Sequence, residues 1–417
     1  MRFTATLFAS ALAIGASASS NYLGFNSGAT KADYSAKFKS DFEAEFRTAQ
    51  ALQGAPGMFN AVRLYTNIQA YSQEDPSQAF EAAINTKTHI LLGIWTSGTN
   101  SIDKEINALK KAVSAHGTQF TDLVIGISIG SEDLYRNSKT GIKNKGGVGN
   151  NPDAIVRFIK QFKQDFSKTT LAKVPVGHVD TWDAWTNSTN KPVIDSVDWL
   201  GVDEYPSYQS GENNNIKNAG KLFDEAFQKT VAAAGGKPVW VTETGWPVSG
   251  PDWDQAVASV KNAKHYWNEI GCRKLFNKVP TFWYNLRDSN PDNKLKFAIT
   301  KDLSTKPLFD LKCPTKFETK SRSASELDRE ARGPRGELVS CRRRRRNDKR
   351  RVTHVGFQRR VCRRFIRRCS CHFQRRRLRP EALCGGLCWR CRLGRRPCPA
   401  LDDAEFHIWS DDGFLPP

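Results

Sequence analysis

Apolar residues along the chain fall into two interleaved patterns. Short runs dense in Val, Ile, Leu and aromatic residues stand at 22–26, 61–65, 90–95, 123–129, 174–179, 199–202, 238–242 and 280–284. Their apolar character is nearly continuous, as in parallel strands buried on both faces. Between them lie stretches at 34–51, 103–115, 153–166, 216–234 and 255–269 whose apolar positions return every three or four residues. That is the spacing of helices with one buried face. In the first, Phe38, Phe42 and Phe46 recur every four residues and are expected to anchor the core. Eight such strand–helix alternations predict a closed (β/α)8 barrel of the α/β class. An open doubly wound sheet is the alternative. It is disfavoured because no Gly-x-Gly-x-x-Gly phosphate turn follows the first run.

The ends of the chain read differently. Arg2, an apolar stretch from Leu7 to Ala16 and the small-residue triplet Ala16-Ser17-Ala18 form the pattern of a secretory leader, so residues 1–18 are expected to be removed. Residues 19–313 form the expected barrel domain. Residues 314–417 carry 28 Lys or Arg against 12 Asp or Glu, whereas the rest of the chain carries 35 against 31. The excess positive charge therefore belongs to the extension. Of its 28 basic residues 25 are Arg, although the rest of the chain prefers Lys. Selection for charge does not discriminate so sharply, but a shifted reading frame does, because serine TCG codons read one base later become arginine CGT. The extension is expected to be unstructured or out of frame, the other frame encoding a serine-rich stalk that could end in a lipid-anchor signal. Polyanion binding and a loose zinc-type spacing at Cys384, Cys388, Cys391 and Cys398 are the competing readings. No nucleic-acid partner, no transmembrane segment and no cofactor is expected, and the protein is expected to be a monomer.

Ahead of the extension only Cys272 and Cys313 occur, and in an oxidising compartment they are expected to pair, free buried thiols being the alternative. Asn187-Ser188-Thr189 is a glycosylation sequon. His89, His116, His178 and His265 are scattered, and neither a metal site nor a Ser-His-Asp order is expected.

Barrels of this kind keep their chemistry at the C-terminal ends of the strands. The fourth run ends Ile127-Ser128-Ile129-Gly130-Ser131-Glu132, and the seventh ends Val241-Thr242-Glu243-Thr244-Gly245-Trp246-Pro247. Each sets a carboxylate at the barrel mouth, where it must pair or work. Two carboxylates from opposite walls suit glycosidic cleavage, which in its retaining form needs them about 5–5.5 Å apart. Sugar rings have apolar C–H faces, and aromatic residues crowd the strand ends: Tyr65, Trp95, Trp182, Tyr205, Trp246, Trp283 and Tyr284, with Trp185 and Tyr208 close behind. Asn26, Asp203, Glu204 and Arg287 are candidates to hydrogen-bond hydroxyls.

These segments, together with Leu23-Gly24-Phe25-Asn26-Ser27-Gly28 and Val62-Arg63-Leu64-Tyr65, resemble glycoside hydrolase family 17, specifically the fungal endo-1,3-β-glucosidases of the cell wall. The resemblance spans residues 21–313. It implies Glu243 as nucleophile, Glu132 as general acid/base, β-1,3-glucan as substrate, and an extracellular or wall location. Many members have Asn before the acid/base where this chain has Ser131, so the contact to the sugar 2-hydroxyl must differ. A catalytically inactive glucan-binding wall protein is the alternative reading.

Overall fold

The computed structural model describes residues 21–290 and 292–317. The expected leader and the arginine-rich extension beyond residue 317 lie outside the described residues. Eight strands form the barrel: β1 Leu23–Ser27, β2 Ala61–Leu64, β3 His89–Ile94, β4 Val124–Ser131, β5 Val176–Thr181, β6 Trp199–Asp203, β7 Val239–Thr244 and β8 Thr281–Trp283. Each pairs in parallel with its neighbours in chain order, and β1 closes on β8 through Leu23 opposite Thr281. That closure excludes the open sheet.

The two faces of each strand are buried in different places. The larger apolar cluster lies between the barrel and its helices and includes Phe42, Phe46, Ile90, Leu92, Ile127 and Ile129. The smaller one fills the barrel floor with Ala61, Leu91, Val179, Trp199, Trp240 and Phe282. The Trp199 and Trp240 rings stack there at 4.4 Å between centroids. A Cβ at Gly177 would come within 2.3 Å of the Trp199 ring, so only glycine admits that indole. Strand alternation then turns Arg63 and Tyr65 inward above Ala61.

The surrounding helices include Lys39–Gln50, Ala79–Thr86, Asp103–His116, Pro152–Asp165, Ala219–Ala234 and Val260–Tyr266. The first begins later than its apolar spacing suggests. Phe38 sits at its N-cap, 51 % exposed, while Phe42 and Phe46 are buried. The expected stripe therefore loses its first member to the loop leading from β1. Helix Ala79–Thr86 fills a connection to which the apolar pattern assigned no helix. The stretch expected as helix 255–269 starts at Val260, where the Ser259 hydroxyl accepts from the Asn262 amide at 3.2 Å. It continues as a π-helix over Trp267–Leu275. Cys272 in that segment is disulfide-bonded to Cys313. Among the described residues no helix is long and apolar enough to cross a membrane.

Candidate active site

Sequence at the end of β4 dictates an irregular backbone. Pairing with β5 slips between Ser128 and Ser131, Gly130 has φ +91°, and Glu132 itself has φ +56°. A left-handed conformation at a glutamate is unfavourable and persists only where the surroundings impose it. Here Asp133 accepts from the Ser131 amide at 3.0 Å, and Asp180 on β5 accepts from the amides of Leu134 and Tyr135 at 2.9 and 3.1 Å. The chain thus leaves the strand in a short helix, Asp133–Arg136, and Glu132 is turned into the barrel mouth. Arg136, one helical turn on, brings its guanidinium within 3.6 Å of the Glu132 carboxylate.

Glu243 lies on β7, where register slips against both neighbouring strands. Its two oxygens accept from three donors. Arg63 and the Tyr65 hydroxyl (2.7 Å) reach Oε1, and the Tyr205 hydroxyl reaches Oε2 at 2.8 Å. The second guanidinium nitrogen of Arg63 donates to the Ser131 hydroxyl at 2.9 Å. One buried arginine therefore links the strand that carries Glu243 to the residue preceding Glu132.

Glu132 and Glu243 line one cleft together with Tyr65, Ser131, Tyr135, Arg136, Trp182, Asp203, Glu204, Tyr205 and Tyr208. Their surroundings differ in kind. Burial pushes the Glu132 carboxyl up to about 8; Arg136 works against this, and the Glu243 charge adds to it. Asp203, 3.8 Å from Arg63, is also raised well above its ordinary range, by burial first and the Glu243 charge second. Arg63 loses solvation too, yet the charges of Asp203 and Glu243 outweigh that loss and tighten its hold on its proton. The cleft therefore sets a carboxyl that holds its proton beside a carboxylate engaged by three donors. Those are the opposed states that acid and nucleophile require.

Among the residues expected to contact ligand, Tyr65, Trp182, Asp203, Glu204, Tyr205 and Tyr208 line the cleft with the two glutamates. Asn26 lies beneath it. Its amide donates to the carbonyls of Thr242 and Phe282 and its oxygen accepts from Arg63 at 3.1 Å, so it braces the arginine. Trp95 is half-buried with the Arg136 guanidinium 5.1 Å above its ring. Trp246 and Trp283 do not reach the cleft. The Trp246 indole donates to the Val257 carbonyl, and Trp283 packs against Tyr266, Trp267 and Phe276 in the outer core. Trp246 lies beyond the last residue of β7, and Trp283 occupies the outward phase of β8. Arg287, also expected at the rim, pairs with Glu45. Trp185 is buried, its indole donating to the Gly201 carbonyl at 2.7 Å. Asn187 accepts from the Thr189 hydroxyl at 2.8 Å on an exposed turn.

Arg63, Tyr135 and Arg136 also belong to the cleft, beyond the site residues expected from the sequence. Arg63 carried a signal: it is a charged residue inside an apolar strand, two positions before Tyr65 and so on the same face. Arg136 carried another, standing four residues after Glu132. Among the described residues no group of three His, Cys, Asp or Glu side chains could hold a metal ion.

Fold and cleft together define a (β/α)8 barrel with paired carboxyl groups of opposite character at its C-terminal mouth. A family model for the BtgE/BtgC glycoside hydrolase domain matches residues 24–299. The chain belongs to that family. It is 53 % identical over 294 residues to a probable glucan endo-1,3-beta-glucosidase of Aspergillus niger, covering 70 % of this chain and 63 % of that one. It is 50 % identical to a protein of the same description from Aspergillus oryzae, covering 76 % and 68 %. The chain thus spans about two thirds of the length of these relatives. In fold it is similar to a glycoside hydrolase family 17 β-1,3-glucanosyltransferase from Rhizomucor miehei, with a TM-score of 0.55 at 23 % identity over 69 % of this chain and 98 % of that one.

Proposed function

We propose that this protein is a secreted fungal-type hydrolase that cleaves β-1,3-glucan internally with retention of configuration. The observation that carries the reading is the division of labour in the cleft: Glu132 is buried beside Arg136, its carboxyl pushed up to about 8 chiefly by burial, while Glu243 accepts from Arg63, Tyr65 and Tyr205. The names borne by relatives at about half identity, glucan endo-1,3-beta-glucosidases, support the substrate class. The Cys272–Cys313 bridge supports an oxidising, extracellular location, and the exposed Asn187 sequon supports glycosylation there.

In the proposed reaction an oxygen of Glu243 attacks the anomeric carbon. The bond from that carbon to the bridging oxygen breaks, and the Glu132 proton moves to the departing oxygen. Glu132, now ionised and paired with Arg136, takes a proton from water as the water attacks the glycosyl-enzyme, and Glu243 is released. A second glucan hydroxyl in place of that water would give transfer. Asp203, Tyr205 and the rim aromatic Trp182 would hold the sugar rings.

Incubation of the mature protein with a defined laminari-oligosaccharide, followed by mass analysis of products, tests the reading. Shorter oligosaccharides should appear, in the β-configuration at first release. Binding without new products would favour the alternative of an inactive glucan-binding wall protein.

A further inference from the structure

Beneath the turn that carries Glu132 lies a group of ionisable side chains with no part in the proposed reaction. His178, Asp180 and Asp133 are all fully buried. The His178 ring has hydrogen-bond partners on both sides. Nδ1 lies 2.5 Å from the Ile129 carbonyl oxygen and Nε2 lies 3.0 Å from Asp180 Oδ2. A carbonyl can only accept, so Nδ1 carries a hydrogen. Asp180 also receives three backbone amides: Leu134 at 2.9 Å on Oδ2, with Tyr135 at 3.1 Å and Thr181 at 2.9 Å on Oδ1. Backbone amides can only donate, so both oxygens of Asp180 serve as acceptors, Oδ2 for Leu134 and Oδ1 for Tyr135 and Thr181. Nε2 must then carry a hydrogen as well.

The same contacts span the turn on both sides. Ile129 stands three residues before Glu132, and Leu134 and Tyr135 stand two and three residues after it. The turn has no room for a side chain at Gly130. A Cβ at Gly130 would meet Asp133 at 2.5 Å, Thr96 at 2.7 Å and the His178 ring at 2.9 Å. We infer that His178 is a doubly protonated ring whose pairing with Asp180 clamps the left-handed turn and positions Glu132 to deliver its proton.

The groups that face this ring agree with a retained charge. Asp180 lies on its own strand and Asp133 on the turn beyond β4, while Trp185 presents its ring edge-on at 5.5 Å. Burial opposes the imidazolium, but the two carboxylates and the Ile129 carbonyl outweigh it and raise the His178 pKa. Arg136 bears on Asp133, whose own carboxyl is raised by burial. His178 is a positioning residue: it touches no substrate and acts through the backbone that carries Glu132.

The inference rests on Glu132 as proton donor, and two measurements on the full chain separate the claims. Nitrogen NMR of histidine-labelled protein, with His178→Gln to assign the signal, should show both ring nitrogens of His178 protonated at pH 7 and beyond, above the ~6.5 of a free imidazole. Asp180→Asn, which keeps the shape, should convert the ring to a singly protonated one. A neutral His178 in the unaltered protein would overturn the proton count, and a ring still doubly protonated beside the amide would overturn its pairing with Asp180. Second, kcat/KM is compared for a laminari-oligosaccharide and for a dinitrophenyl laminarioside, whose leaving group needs no proton. In His178→Gln it should fall tenfold or more on the first and stay within about twofold on the second. Equal losses on both substrates would reduce His178 to an ordinary packing residue. Unaltered protein that cleaves neither would sink the glucanase reading, with the ring's protonation still deciding the clamp.

Discussion

Arg63 on β2 donates to Glu243 on β7, across the interior of the barrel. It is 1 % exposed and also lies beside Asp203 and Ser131, so one cation serves both walls of the cleft. Replacing it removes the partner of two buried acids. Arg63→Met should cost about 3–5 kcal/mol of stability by urea unfolding, the usual result of orphaning buried charge. Arg63→Lys keeps the charge but loses the planar fork that reaches Ser131 and Glu243 together. It should fold and lose about 10–100-fold in kcat on glucan. A lysine variant with near-normal kcat would mean that charge alone matters.

Glu243→Ala should abolish turnover of glucan while circular dichroism and glucan binding are retained. Adding azide to this variant with an activated aryl laminarioside should yield an α-glycosyl azide, because the small anion enters the face the carboxylate has vacated. In Glu132→Ala the azide should instead intercept the glycosyl-enzyme and give the β-product. If the two stereochemistries are exchanged, the two roles are exchanged.

The raised Glu132 pKa makes a prediction about stability. Its folded value, about 8, lies above the unfolded value near 4.5, so the protonated form is the one the fold favours. Its contribution is complete below about pH 4.5 and is lost as pH rises through 8. Glu132→Gln should therefore match the unaltered protein at pH 4 and exceed it by a few kcal/mol at pH 8, as thermal melts at the two values would show. The alkaline limb of the activity profile should fall near pH 8 for the same reason. A variant without any gain at pH 8 would place the carboxyl in better contact with water than the cleft implies.

The Cys272–Cys313 bridge closes a loop with a sequence separation of 41. Breaking a loop of that length costs about 2–4 kcal/mol, chiefly by freeing the unfolded chain. The paired Cys272→Ser and Cys313→Ser variant should lose that much in urea and keep its kcat, since neither residue approaches the cleft. A fall in kcat at full folding would show that the bridge reaches the site.

Much of this architecture was legible as pattern. Near-continuous apolar runs marked all eight strands because each is covered on both faces, and the glutamates at the ends of the fourth and seventh runs do meet in one cleft. Aromatic residues misled at two positions for a physical reason. Trp283 is spaced like a rim residue, yet a parallel strand hides both its faces and sequence does not say which one looks inward, while Trp246 lies past the end of β7, where the strand period no longer applies. Tyr65, expected only as an aromatic at a strand end, does line the cleft, and Arg63 two positions before it marks the inward face. Phe38 kept its periodic spacing and lost its burial, because an amphipathic repeat continues into the residues that precede a helix. The left-handed Glu132 was invisible, since it depends on Asp180, 48 positions along the chain.

The π-helix Trp267–Leu275 has a consequence for how the barrel is fastened. Hydrogen bonding from each residue to the fifth one along widens the turn, so that positions five apart share one side of the helix. Trp267 and Cys272 stand five apart, and both reach the same strap of chain. The indole donates to the Leu311 carbonyl at 3.0 Å and the sulfur joins Cys313. An ordinary helical pitch would swing the two side chains to different quadrants. Removing one residue between them would part the indole contact from the disulfide, so that the two could no longer grip the strap together.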